Sequence, residues 1–153
     1  MINSYQGPKP ILLKRYIDDF VGVSTSSKQE LDEFFLYVNS FHSSLKYTYD
    51  ISETSVNFLD LSVSTTATGL TTDVHYKPTD SHSYLNYESS HPPSCKNAIP
   101  FSQFLRLRRI CSQDETFHAR SEEMNDYFVR RSYPTSVIKR GRDKATSITQ
   151  QEA

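Results

Sequence analysis

The sequence predicts an α+β chain: a small antiparallel sheet with one packed helix, followed by a helical, helix-turn-helix-like bundle. Three observations carry this. Apolar and polar residues alternate over Leu45 to Ile51; apolar residues recur every three to four positions after Ser27 and again after Pro100; and a Pro/Ser-rich stretch divides the two regimes. Gly7-Pro8-Lys9-Pro10 is a loop, because two prolines deny both helix and central strand. Ile11 to Tyr16 and Phe20 to Val23 are apolar and aromatic around Ile17-Asp18-Asp19, which predicts a hairpin with its carboxylates at or near the tip.

Ser27 and Glu30 have capping-box spacing, with Ser27 as N-cap, so a helix is expected to begin there. Leu31, Phe34, Phe35, Val38 and Phe41 form its apolar stripe, and Asp32, Glu33 and Asn39 are expected to face water. Leu45, Tyr47, Tyr49 and Ile51 alternate with polar residues as in a half-buried strand. Val56 to Val63 and Leu70 to Tyr76 are read as two further strands, joined by a longer hairpin loop that ends in Gly69. The sheet is expected to end at Lys77-Pro78-Thr79-Asp80, where a stretch rich in Ser, Pro and Asn begins.

In the last third, Pro100 suits a first helical turn, and Phe101, Phe104, Leu105, Leu107, Ile110 and Cys111 make a broad apolar face. A second capping box, Ser112 to Glu115, restarts a helix carrying Phe117, Met124, Tyr127 and Phe128, which Pro134 closes. A short piece with Val137 and Ile138 ends in Lys139-Arg140-Gly141-Arg142, and Ala145 to Ala153 reads as a frayed polar tail.

Composition narrows the function classes. The 153 residues are 36% apolar, with 10 Tyr and 9 Phe, so the core is modest and leans on aromatics. Two cysteines, Cys95 and Cys111, are no disulfide framework and fit a reducing compartment. The longest aliphatic run is Ile11 to Leu13, too short for a membrane span or a signal peptide, so an intracellular protein, nuclear or cytoplasmic, with no membrane partner is expected. His82, His91 and Cys95 lack the paired short spacings that close a zinc site, and loop hydrogen bonds are their expected roles. No Ser or Cys sits in a nucleophile elbow or triad context, and four glycines cannot build a phosphate-cradling loop.

The net charge of -1 hides a division. Residues 1–95 carry 6 Lys and Arg against 11 Asp and Glu, whereas residues 96–145 carry 11 against 6. A basic half favours a polyanionic partner, although solvated surfaces give the same imbalance.

Tyr16-Ile17-Asp18-Asp19 is the sharpest chemical signal. Adjacent carboxylates at a hairpin tip repel each other unless a cation lies between them, which points to Mg²⁺ or Mn²⁺ on hard oxygen ligands. An ordinary Asp-Asp turn is the plain alternative. Lys14-Arg15-Tyr16-Ile17-Asp18-Asp19-Phe20 resembles the active-site hairpin of a reverse transcriptase palm, and Asn57-Phe58-Leu59-Asp60-Leu61 resembles the primer-grip region that follows it. Tyr76-Lys77-Pro78-Thr79-Asp80, Tyr84-Leu85, Ser90-His91-Pro92, Ile99 to Gln103 and Leu105 to Cys111 are similar in order and spacing to the Penelope-like retroelement proteins of animals. The resemblance covers about residues 9 to 142.

The resemblance implies an RNA-directed DNA polymerase in which Asp18 and Asp19 are catalytic metal ligands, flanked by Tyr16 and Ile17, with Phe58, Leu59, Asp60 and Leu61 in the primer grip. Two-metal phosphoryl transfer needs a further aspartate from an earlier palm strand, and only 17 residues precede Asp18. The chain is therefore expected to be a C-terminal palm and thumb fragment: partial palm over 9–80, connector over 81–97, helical thumb or helix-turn-helix-like domain over 98–143, disordered tail over 144–153. The downstream nuclease of these elements is likewise expected to be absent. Asp60 is a poor substitute for the missing ligand and is expected to cap a turn or pair with a base. Mg²⁺ or Mn²⁺ belongs to the intact enzyme, with weak or no binding and negligible polymerase activity expected here.

The helical third offers a second reading from another class, a non-catalytic nucleic-acid-binding helix-turn-helix protein. Lys77, Arg106, Arg108, Arg109, Arg130, Arg131, Lys139, Arg140 and Arg142 are the candidate phosphate contacts, on a template-primer duplex of RNA and DNA in the retroelement context. An amphipathic bundle with Arg on its wet face has the same pattern. Palm strands without their neighbours would leave an open sheet edge, so self-association is expected.

Overall fold

The computed structural model describes residues 4–153 and is α+β, with small antiparallel sheets and four helices, the last three of them C-terminal. Two compact units form, Met1–Phe58 and Leu59–Ala153.

In the first unit, β1 (Leu12–Tyr16) and β2 (Asp19–Val23) pair antiparallel from Leu12↔Val23 to Tyr16↔Asp19, with Ile17 and Asp18 as a two-residue link. The expected hairpin forms, and both carboxylates lie at its tip. α1 (Lys28–Ser40) begins with the expected capping box: Ser27 Oγ accepts the Glu30 N–H at 3.3 Å, and Glu30 Oε2 accepts the Ser27 N–H at 2.7 Å. The Ser27 N–H and, at 2.8 Å, the Ser27 hydroxyl both donate to Glu30 Oε2 and hold that carboxyl below its ordinary pKa. Phe34 and Val38 are buried, and one fully buried Phe contributes about 1.5–3 kcal/mol. The edge of Tyr5 packs on Phe34, with ring centroids 5.3 Å apart.

Three expectations in this unit are corrected. Asp32 and Asn39 do not simply face water. Asp32 Oδ1 accepts the Tyr49 hydroxyl at 2.9 Å, while the Asn39 amide brackets Tyr47, accepting its N–H at 2.7 Å and donating to its carbonyl at 3.0 Å. No strand forms over residues 45–51: Asn39 of α1 takes both backbone groups of Tyr47, and Tyr47 and Tyr49 lie on hairpin and helix. Tyr49 stacks on Phe35 at 3.9 Å and Tyr47 meets the edge of Phe20 at 5.4 Å. The strand expected over Val56 to Val63 is broken. β3 (Ser55–Phe58) ends the first unit, Leu59 turns left-handed at φ 57°, and β4 (Leu61–Thr66) starts beyond it.

In the second unit, β4 pairs antiparallel with β5 (Gly69–Val74) from Leu61↔Val74 to Thr66↔Gly69. The link is Ala67-Thr68, shorter than the loop expected, and Gly69 is already in β5 at φ 139°, a conformation that only glycine adopts without strain. Residues 75–92 run without helix or strand. α2 (Pro93–Ile110), α3 (Asp114–Val129) and α4 (Thr135–Thr146) follow.

Helix boundaries differ from expectation in each case. α2 starts at Pro93, one residue after Pro92 as N-cap, so Pro100 lies inside it and not in its first turn. Ser112 is no N-cap; it is bound to β5, its Oγ accepting the Thr72 N–H at 2.9 Å and its N–H reaching the Thr72 carbonyl at 3.0 Å, and Gln113 takes the cap position. α3 ends at Val129, Ser132 turns left-handed at φ 63°, and Pro134 opens α4 instead of closing α3. α4 runs through Lys139-Arg140-Gly141-Arg142 and buries Ala145, where fraying was expected; the Ile148 carbonyl beyond it accepts from Arg108 Nε at 2.8 Å.

One core joins Val74 of β5 to all three helices through Phe104, Leu107, Phe117, Met124, Phe128 and Ile138. Cys111 packs in it, as the sequence leads one to expect, and burial together with the nearby Asp73 charge pushes its thiol up to about 11. α4 crosses α2 at Gly141, where a Cβ would lie 2.8 Å from Phe101 N and 3.1 Å from Pro100 C. Only glycine permits that approach. Pro100 has no N–H to give to its own helix, so the crossing sits where α2 already lacks a hydrogen bond.

Candidate nucleic-acid interface

The structure sorts the candidate basic side chains into two classes. Arg106, Arg108, Arg109 and Arg142 are engaged within the chain. Arg106 Nη2 is 2.7 Å from Asp60 Oδ2, and Arg142 Nη1 is 2.6 Å from Glu122 Oε1. Arg108 pairs with Asp114, holding that carboxyl below its ordinary range, and lies 5.0 Å over the Phe117 ring. Arg109 donates to the Ala153 carbonyl. Lys77, Arg130, Arg131, Lys139 and Arg140 make no ion pair among the described residues, and all but the half-buried Arg131 are exposed.

The free cations fall at distinct places. Lys77 follows β5, while Lys139 and Arg140 lie on α4, whose Val137, Ile138, Gly141 and Ala145 are buried. Arg130 and Arg131, in the α3–α4 turn, line a cleft of about 220 Å³ with Ser81, His82 and Tyr127. His82 is left-handed at φ 50°, its N–H held by Asp80 Oδ1 at 2.8 Å, and its ring is stacked on Tyr127 at 4.1 Å. It is thus more than the loop group expected. Nothing in sequence marks this cleft, since Ser81 and Arg130 are far apart along the chain and neither has a spacing pattern. Arg120 was likewise without a signal, yet it holds β5 to α3 by two bonds to Asp73 Oδ2, the shorter 2.7 Å, while its Nη1 is steadied within α3 by Glu123 at 2.8 and 2.9 Å. Burial raises the Asp73 pKa, but Arg120 and the Val74 N–H outweigh it and hold the carboxyl below its ordinary value.

Three helices linked by Cys111 to Gln113 and by Arg130 to Pro134, with the last one amphipathic and basic, have the form of a helix-turn-helix unit. Residues 83–143 match the family model of the animal helix-turn-helix domain. No curated protein and no solved structure matches the chain. The match to the helix-turn-helix domain takes in α2, α3 and α4 as far as Asp143, and with them Arg130, Arg131, Lys139 and Arg140. Lys77, Ser81 and His82 precede its first residue.

The acidic candidates lie outside the helix-turn-helix match. Asp18 and Asp19 are exposed, as are Tyr16 and Ile17 beside them, and Ile17 is left-handed at φ 54°. Among the described residues no group of three His, Cys, Asp or Glu converges on a metal-sized site. Two-metal phosphoryl transfer takes carboxylates from more than one strand, and Asp18 and Asp19 both belong to one hairpin tip. Of the primer-grip candidates, Phe58 ends β3, Leu59 makes the left-handed break, and Leu61 packs on the helical core. Asp60 accepts from Arg106, and its carbonyl accepts the His75 N–H at 2.8 Å.

Proposed function

We propose that this protein binds a nucleic acid through its helix-turn-helix segment, with α4 as the helix laid against the duplex. The observation that carries the reading is that α4 buries one face in the core and leaves Lys139 and Arg140 exposed, with no acidic partner among the described residues, while other arginines of the segment are used up internally. Cations kept unpaired on one helix neutralise phosphates and release their counterions. Filter binding to duplex DNA and to an RNA–DNA hybrid over a salt series tests this. Binding is expected to fall linearly with the logarithm of salt concentration, and Lys139→Gln with Arg140→Gln is expected to lower the slope by about 2. A flat salt series overturns the reading.

A second reading, a palm and thumb remnant of a Penelope-like reverse transcriptase acting on a template-primer, is favoured by one observation. Ile17, a β-branched residue, is held left-handed beside Asp18, and such strain collects at functional turns. In that reading the helical unit is the thumb. With two carboxylates alone the chain is expected to show negligible primer extension in Mg²⁺. Template-dependent extension abolished by Asp18→Ala would show a complete catalytic site instead.

A further inference from the structure

The geometry points to the cleft between the Ser81-His82 turn and the end of α3 as the seat of one backbone phosphate of the bound nucleic acid. This rests on the nucleic-acid reading above and adds to it a positioning contact separate from α4.

Arg130 and Arg131, two consecutive cationic residues, both line this one cleft, and neither is paired with a carboxylate among the described residues. Two unpaired cationic residues at one cleft make its potential favourable to an anion. A guanidinium fork matches the oxygens of a phosphate, and Ser81, whose side chain is a hydroxyl donor, belongs to the same lining. A volume of about 220 Å³ is below the roughly 300–1,000 Å³ of cofactor clefts, so the space suits a single group and not a whole nucleotide cofactor.

The end of a helix ordinarily repels anions, but here three of the last four α3 carbonyls already accept backbone N–H groups. Asp126 O accepts from Arg130 N, Phe128 O from both Arg131 N and Tyr133 N, and Val129 O from Ser132 N. The acid nearest the His82 ring, Asp80, is tied down by the His82 N–H, with its Oδ1 3.5 Å from Nδ1. The walls are also fixed in advance. Tyr87 N–H donates to the Arg131 carbonyl at 3.0 Å, Tyr84 lies against Phe128 at 5.1 Å, and the His82–Tyr127 stack closes the side. A rigid cradle holds a phosphate without paying to order itself.

The test measures duplex DNA binding by the full chain across a salt series for wild type, R130Q/R131Q, R130K/R131K and R142Q, with unfolding midpoints as folding controls. A slope lowered by about 1 in R130Q/R131Q, restored in R130K/R131K and unchanged in R142Q, supports the proposal. Inorganic phosphate is then expected to shift the His82 ring resonances of wild type and not of R130Q/R131Q. Wild-type binding with the same slope in R130Q/R131Q overturns the cleft proposal and leaves the α4 reading standing. Absence of duplex binding by wild type removes both.

Discussion

Asp60 and Arg106 are 46 residues apart in sequence and joined at 2.7 Å in the structure. Each is a candidate for nucleic-acid chemistry when read alone, and each satisfies the other when folded. Both side chains are more than a third exposed, so the pair is worth little in stability, about 0.5–1 kcal/mol. Arg106→Gln is expected to lower the unfolding free energy by no more than that and to leave the salt slope of DNA binding unchanged. Denaturant unfolding and filter binding read the two effects separately.

Gly141→Ala places a methyl group against the α2 backbone, 2.8 Å from Phe101 N. A main-chain neighbour cannot swing aside, so α4 has to move off α2. A loss of about 1–3 kcal/mol is expected, seen as a lower melting temperature of the helical unit.

The Asp73–Arg120 pair gives stability a defined acid limb. The Asp73 carboxyl titrates below its ordinary 3.8 in the folded state, so its contribution is complete above 3.8 and is lost as pH falls through the lowered folded value. Asp73→Asn is expected to cost about 1–3 kcal/mol at neutral pH, because Arg120 loses its fork of acceptors. The variant and wild-type stability curves then converge below pH 3.8, which urea unfolding across an acid pH series measures.

Ile17→Asn relieves the left-handed strain at the hairpin tip, since Asn tolerates that region and a β-branched residue does not. Amide exchange in β1 and β2 is expected to slow by the equivalent of about 0.5–1 kcal/mol. Unchanged exchange would show that the tip carries no strain.

Local signals in the first unit held, whereas the equally local capping box at Ser112 and Glu115 failed because Thr72 of β5 takes Ser112. Ser27 and Glu30 are three residues apart and form the expected capping box, and Tyr16 to Phe20 turn where short-range chemistry says they turn. What was illegible depends on distant partners. The alternation of Leu45 to Ile51 is a strand pattern, but Asn39 and Phe35 of α1 take its tyrosines and no ladder forms. Pro100 lies mid-helix with Gly141 of α4 packed against it, a pairing that no spacing rule announces. The roles of Arg106, Arg108 and Arg109 turned on acceptors about 6 to 46 residues away, so a count of basic residues overstated the free positive charge.

The contact of Gly141 with Pro100 has a directional consequence. An α-helix turns about 100° per residue, so sliding α4 by a single position would bring Lys139 or Arg140 inward and turn Val137 or Ile138 to water. The compass bearing of the basic side chains is thus set by a residue that has no side chain of its own.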